Sequence, residues 1–237
     1  MAISELPLPT NVTLHESTDS KRLAATLAAD VAERLRAALA EKGRACLVVS
    51  GGRSPVVFLE QLSAQVLDWS QVTVSLADER WVPVEHADSN AGLLARHLLK
   101  GPAAKARLLG LYQRAETLEA AAQAADQALA DLPPIDVLVL GMGDDGHTAS
   151  LFPGSPNLAE GLDPESTRRC LAMLAPSVPH QRLSMSRALL SSAAFTALSV
   201  QGPGKLAALR AALAADDATQ MPIRAFLHDP LDLYWCP

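Results

Sequence analysis

Apolar residues fall in short runs, and between those runs they recur every three or four positions. Residues 45–49 (ACLVV) and 135–140 (IDVLVL) are runs rich in Val and Leu, the pattern of strands buried on both faces of a parallel sheet. Residues 71–77 alternate into another strand. Residues 12–15, 107–111, 170–174, 195–201 and 231–235 read as further strands. Leu23, Leu27, Val31, Leu35 and Leu39 recur every four residues, which predicts one long helix from a Thr18 or Asp19 cap to Gly43. Ser54 as N-cap with Pro55 at the first helical position predicts a second helix, with Phe58, Leu59 and Leu62 facing inward. A cap within Asp88-Ser89-Asn90 opens a third, containing Leu93, Leu94, His97 and Leu98. Residues 116–132 form an Ala-rich helix ended by Pro133-Pro134. After Gly202, Leu206, Leu209 and Leu213 give the inner face of another. Strands and helices alternate throughout, which predicts an α/β fold: a mostly parallel sheet with helices on both faces. No repeat or linker divides the chain, so residues 1–237 are expected to form one domain.

Composition narrows the class. Hydrophobic residues make up 49% of the 237 positions and charged residues 19%, enough for a sizeable core and unlike a disordered chain. The net charge of −6, without a long basic run, argues against a nucleic-acid partner. No apolar run reaches the ~18 residues of a membrane span, and the opening MAISELPLPTNV lacks the basic and apolar regions of a secretory signal. Cys46, Cys170 and Cys236 are widely spaced, form no CxxC, and fit a reducing cytoplasm. No HxH or HExxH spacing suggests a metal; His86 and His97 read as solvated or packing residues. None of these features fixes an oligomeric state.

In open α/β sheets ligands bind beyond the carboxyl ends of the strands. The densest polar chemistry at such an end follows residues 135–140: Gly141-Met142-Gly143, then Asp144, Asp145, Gly146 and His147. A polar loop with a solvated histidine is one reading. A GxGxxG dinucleotide fingerprint is another, but Asp144 and Asp145 would repel a pyrophosphate, and Pro153 and Pro156 cut short the helix that should hold it. The third is an acid–base site with His147 as proton carrier, since imidazole titrates near neutrality.

Other strand ends carry complementary groups. Ser50-Gly51-Gly52-Arg53-Ser54 offers backbone N–H groups and a cation ahead of a helix, suited either to a phosphate or to an ordinary turn. It is not a P-loop, because GK[ST] is absent. Asp78-Glu79-Arg80-Trp81 follows residues 71–77 and reads as a ligand-facing cluster or as salt-bridged surface. Arg182 precedes a short alternating segment. Lys205 falls in the first turn of a helix, where a cation opposes the dipole by ~0.3–1 kcal/mol and a bound anion would offset that cost.

Taken together, SGGRSP at 50–55, DERWVP at 78–83, SN at 89–90, GMGDDGHTASLFP at 141–153, RLSMS at 182–186 and the Gly204-Lys205 pair resemble the 6-phosphogluconolactonase family across nearly the whole chain. The resemblance implies a Rossmann-like fold shared with glucosamine-6-phosphate deaminase. It also implies hydrolysis of 6-phospho-D-glucono-1,5-lactone, the second step of the oxidative pentose phosphate pathway, without metal, nucleotide or other cofactor. In that reading His147 is the general base, Asp145 orients it and Arg80 holds substrate oxygens or developing charge. Ser50, Gly51, Gly52, Arg53, Ser54, Lys205 and Arg182 are expected at the sugar phosphate, with Asp78, Asn90 and Gly143 completing the binding set. The deaminases carry a glutamate just before the proline of this loop and an Asp-Glu-Tyr segment. Here those places hold Phe152 and Asp78-Glu79-Arg80. A sugar-phosphate-binding module without chemistry is the alternative outside enzymes.

Overall fold

The structure, a computed structural model, describes residues 3–237. Its order is β1 (Val12–Glu16), α1 (Ser20–Lys42), β2 (Ala45–Val49), α2 (Val56–Ser63), β3 (Val72–Leu76), β4 (Asp78–Arg80), α3 (Asn90–His97), β5 (Arg107–Leu109), α4 (Leu118–Ala128) and β6 (Val137–Leu140). There follow α5 (Leu158–Leu162), β7 (Cys170–Leu174), β8 (Gln181–Met185), α6 (Arg187–Leu190), β9 (Phe195–Gln201), α7 (Pro203–Leu213), α8 (Arg224–Leu227) and β10 (Leu231–Cys236).

Seven strands form one sheet in the order β1-β10-β9-β6-β2-β3-β5, and every neighbouring pair is parallel. β2, β3 and β6 are buried along their whole length, as their apolar runs require. The long helix α1 is capped by Asp19, whose carboxylate accepts from the backbone N–H groups of Lys21 and Arg22. It ends at Gly43, held at φ 69°. Lys42 reaches Asp136 at 2.5 Å, and the Asp136 carboxylate also accepts from the Cys46 N–H, tying the end of α1 to the start of β6.

The remaining strands build a separate antiparallel sheet, β4-β8-β7. Two sequence expectations change here. Residues 78–80 are not a loop trailing β3 but a strand of this second sheet, and Arg182 does not precede a strand but lies inside β8. Three residues are too few to carry a readable alternation, and the pairing that defines them is more than a hundred residues distant in sequence.

Helix α2 begins at Val56 rather than at Pro55, and the Ser54 side chain caps nothing. On α7 the buried residues are Ala208, Leu209 and Ala212, with Leu206 and Leu213 only partly covered. The helix expected over 116–132 runs from Leu118 to Ala128 and tightens into a 3₁₀ turn at Leu129–Asp131. No helix among the described residues is long and apolar enough to cross a membrane.

Candidate active site

The carboxyl ends of β2, β6 and β9 meet the small sheet at a cavity of about 430 Å³. Ser50, Gly51, Gly52, Arg53, Ser54, Asp78, Arg80, Asn90, Gly143, His147, Arg182 and Lys205 all line it. Of the residues that the family resemblance assigned to the site, Asp145 alone does not. It stands behind His147 and reaches the cavity only through it.

The loop after β6 is built around that pair. His147 Nδ1 lies 2.5 Å from Asp145 Oδ1, and the same oxygen accepts from the His147 backbone N–H at 3.1 Å. With Nδ1 committed to a carboxylate, Nε2 is the nitrogen left for chemistry. Burial alone would raise the Asp145 pKa. The hydrogen bond and charge of His147 outweigh it and hold the carboxyl below its ordinary range. Gly143 makes this geometry possible: a Cβ there would lie 2.1 Å from His147 Nδ1 and 2.5 Å from Asp145 Oδ1. Thr148 Oγ1 donates to the Gly141 carbonyl at 2.8 Å and closes the loop on itself. No long helix follows, so neither aspartate caps one. On the other side His147 packs on the Phe152 ring at 4.3 Å between centroids, and the Arg182 guanidinium lies 5.7 Å above the same ring.

Arg80 and Arg182 bring the cations. Arg80 Nη1 donates to the Asp88 carbonyl at 2.8 Å, and Arg182 Nε donates to the Pro179 carbonyl at 2.7 Å. Burial, then the neighbouring Arg80 charge, weakens the hold of Arg182 on its proton. Arg80 Nε and Ser50 Oγ are buried without a hydrogen-bond partner. Buried polar atoms are normally satisfied, so two orphans in one cavity mark where a polar ligand fits. Lys205 Nζ is paired with Asp144 at 2.8 Å. A second cavity of about 400 Å³ shares Gly52, Arg53, Arg80, Asn90 and Arg182 with the first and extends it toward Ser177–Pro179.

Asp78 and Asn90 are largely engaged with the protein itself. Ser150 Oγ donates to Asp78 Oδ2 at 2.6 Å, and Asn90 Nδ2 donates to the Asp78 carbonyl at 2.9 Å. Gly51 must be glycine, because a Cβ would fall 2.0 Å from the Asn90 amide oxygen.

Glu79, expected within a ligand-facing cluster or a salt-bridged surface, is neither: it is fully buried and does not line the cavity. Its carboxylate accepts from the backbone N–H groups of Arg80, Asn90 and Ala91 and from Ser89 Oγ, at 2.7–3.1 Å. It thereby joins β4 to the N-terminus of α3, whose Ser89 cap is as expected. No local signal gave this role: β4 is three residues long, and only in the fold do Asp78 and Arg80 share the cavity face while Glu79 takes the other. The remaining histidines lie outside the cavity. His86 neighbours Asp88, and His97 neighbours Glu60. Among the described residues no group of three or more His, Cys, Asp or Glu is placed to hold a metal.

A parallel α/β sheet with an Asp–His pair after one strand, beside a cavity lined by Arg53, Arg80, Arg182 and Lys205, defines a Rossmann-like protein with a cationic pocket at its strand ends. The chain belongs to the family described as glucosamine-6-phosphate isomerases/6-phosphogluconolactonase, which it matches over residues 18–235. A 6-phosphogluconolactonase of Pseudomonas putida is 78% identical over 237 residues, spanning 100% of this chain and 98% of that protein. The crystal structure of a 6-phosphogluconolactonase from Shewanella baltica OS155 superposes with a TM-score of 0.93 at 37% identity, covering 97% of this chain and 100% of that one. A monomeric glucosamine-6-phosphate deaminase shares the fold at a TM-score of 0.76 and 21% identity, over 94% of this chain and 97% of that one.

Proposed function

We infer that this protein hydrolyses 6-phospho-D-glucono-1,5-lactone to 6-phospho-D-gluconate, the second step of the oxidative pentose phosphate pathway. The supporting observation is the Asp145–His147 pair at the mouth of a cation-lined cavity, in a chain 78% identical to a protein named for that activity.

In this reading Asp145 fixes the proton on Nδ1, and Nε2 of His147 takes a proton from water as its oxygen adds to the lactone carbonyl. The negative charge that develops on the carbonyl oxygen falls to Arg80 and Arg182. As the intermediate collapses, the bond from the carbonyl carbon to the ring oxygen breaks, and His147 returns its proton to that oxygen. The product is an acid that ionises in water. General base catalysis supplies ~10²–10⁴-fold, and positioned charge a similar or larger factor. No step calls on a metal or nucleotide. The Ser50–Ser54 loop, Arg53 and Lys205 are assigned to the phosphate, a dianion that needs more than one cation.

The deaminase alternative is not favoured. Phe152, buried against the imidazole, has no proton to exchange with an amine or a ring oxygen. A cytoplasmic location is part of the same proposal and accords with three unpaired, buried cysteines.

The test is acid release from freshly prepared lactone in a pH-stat, with the spontaneous opening subtracted. Activity above background in the wild type, and at least a ~10²-fold lower kcat in His147→Ala with an unchanged circular dichroism spectrum, is expected. A His147→Ala enzyme with a near-wild-type rate removes His147 from the mechanism.

A further inference from the structure

Lys205 is the lysine that lines the cavity, and a carboxylate already sits against it. Asp144 Oδ1 lies 2.8 Å from Lys205 Nζ, and the two side chains differ in exposure: 78% for Asp144 against 26% for Lys205. The same oxygen is 3.5 Å from where a Cβ on Gly204 would stand, so the carboxylate hangs over the first turn of α7. That turn has no acidic residue of its own and no side-chain cap. A helix N-terminus with a lysine in its first turn favours an anion, and Asp144 supplies one from the neighbouring β6 loop.

We propose that Asp144 is an internal counter-ion for Lys205, displaced when the phosphate of the substrate arrives. The inference rests on the reading that Lys205 holds that phosphate. A phosphate dianion and the Asp144 carboxylate repel each other when both crowd one ammonium group. Asp144 is the partner that yields, because it is mostly in water and rehydrates at little cost, whereas Lys205 is mostly covered. The pair therefore acts as a charge filter. A doubly charged phosphate outcompetes one carboxylate, while singly charged anions gain little over it. Asp144 lowers affinity for the phosphorylated lactone and leaves an uncharged lactone unaffected, and so differs in kind from Asp145 next to it, which serves the imidazole.

The experiment is steady-state kinetics on Asp144→Asn, Lys205→Ala and the double variant, with inhibition by inorganic phosphate measured alongside. Because Asp144 is exposed, its replacement leaves the core untouched. Asp144→Asn should lower KM for the phosphorylated lactone, and the inhibition constant of inorganic phosphate, by about two- to fivefold, the span of an exposed ion pair. Its preference for the phosphorylated lactone over glucono-1,5-lactone should rise by the same factor. Lys205→Ala should raise KM, and in that background Asp144→Asn should have no further effect. If Asp144→Asn leaves KM unchanged or raises it while Lys205→Ala still raises KM, the counter-ion role is wrong. If Lys205→Ala leaves KM unchanged, the phosphate assignment of Lys205 fails, and the counter-ion role falls with it.

Discussion

Arg80 and Arg182 stand directly opposite each other across the antiparallel pair β4–β8. Like charges at opposed positions destabilise a strand pair, and Arg182 is almost fully buried, which deepens the cost. Neither guanidinium meets a side-chain carboxylate within ion-pair distance among the described residues. The arrangement makes sense if an anion completes it. Arg182→Gln should lower kcat/KM for the phosphorylated lactone by ~10–100-fold, the worth of one charge-assisted hydrogen bond. A loss below about threefold would mean that the facing pair serves the small sheet and not the substrate.

Gly143 offers a sharper probe of the imidazole than its removal does. A methyl group at this position collides with both partners of the Asp145–His147 bond. Gly143→Ala should push the ring out of line and lower kcat by ~10²-fold, with a smaller change in KM, while Asp145 and His147 both remain. The check is steady-state kinetics beside a thermal melt. Full activity in this variant would show that catalysis tolerates a displaced imidazole.

The elements legible in sequence are those whose burial is simple. The runs of β2 and β6 are apolar because both faces are covered, and α1 shows its inner face in Leu23, Leu27, Val31 and Leu35. The Asp145–His147 pair was also readable, since both residues sit on one short Gly-flanked loop. What escaped depends on partners distant in the chain. β4 is a strand only because β8 lies beside it, so the opposition of Arg80 and Arg182 has no local signature. Glu79 is functionally silent in sequence for the same reason. Its role comes from meeting the N-terminus of α3, and only the fold reveals which of the adjacent carboxylates turns inward. Ser54-Pro55 shows the opposite error: a good local helix-start signal that the structure does not use.

Glu79 carries a prediction in pH. Burial raises its pKa, and the N–H bonds from Ala91, Asn90 and Arg80 only partly counter this. In the unfolded chain a glutamate titrates near ~4.3. A folded value above that makes its contribution to stability greatest at low pH and lost as pH rises through the folded value. Glu79→Gln, which keeps the shape but sets an amide donor among N–H donors, should cost about 1–3 kcal/mol. The gap in melting temperature between wild type and variant should narrow from pH 4 to pH 7. A widening gap would show that the four hydrogen bonds outweigh burial.

The site should also refuse a related substrate. Phe152 fills the position beside His147 with an apolar ring, so glucosamine 6-phosphate should release no ammonia at an enzymatic rate. A coupled ammonia assay checks this, and turnover there would contradict the lactonase reading. Dialysis against a chelator should leave lactone hydrolysis intact. Activity lost on dialysis and restored by a divalent cation would require a different source for the attacking hydroxide.

The site draws its groups from two sheets of different construction: Asp145 and His147 follow a strand of the parallel sheet, and Arg80 and Arg182 belong to the antiparallel one. In the proposed mechanism, proton transfer and the hold on the carbonyl oxygen's developing charge are therefore inherited from separate pieces of the fold. For protein engineering this is a modular arrangement. Libraries confined to the Ser177–Pro179 turn and to positions of β4 and β8 other than Arg80 and Arg182 can explore new acyl substrates while the β6 loop and the facing arginines keep their chemistry, so retargeting and catalysis can be selected one at a time.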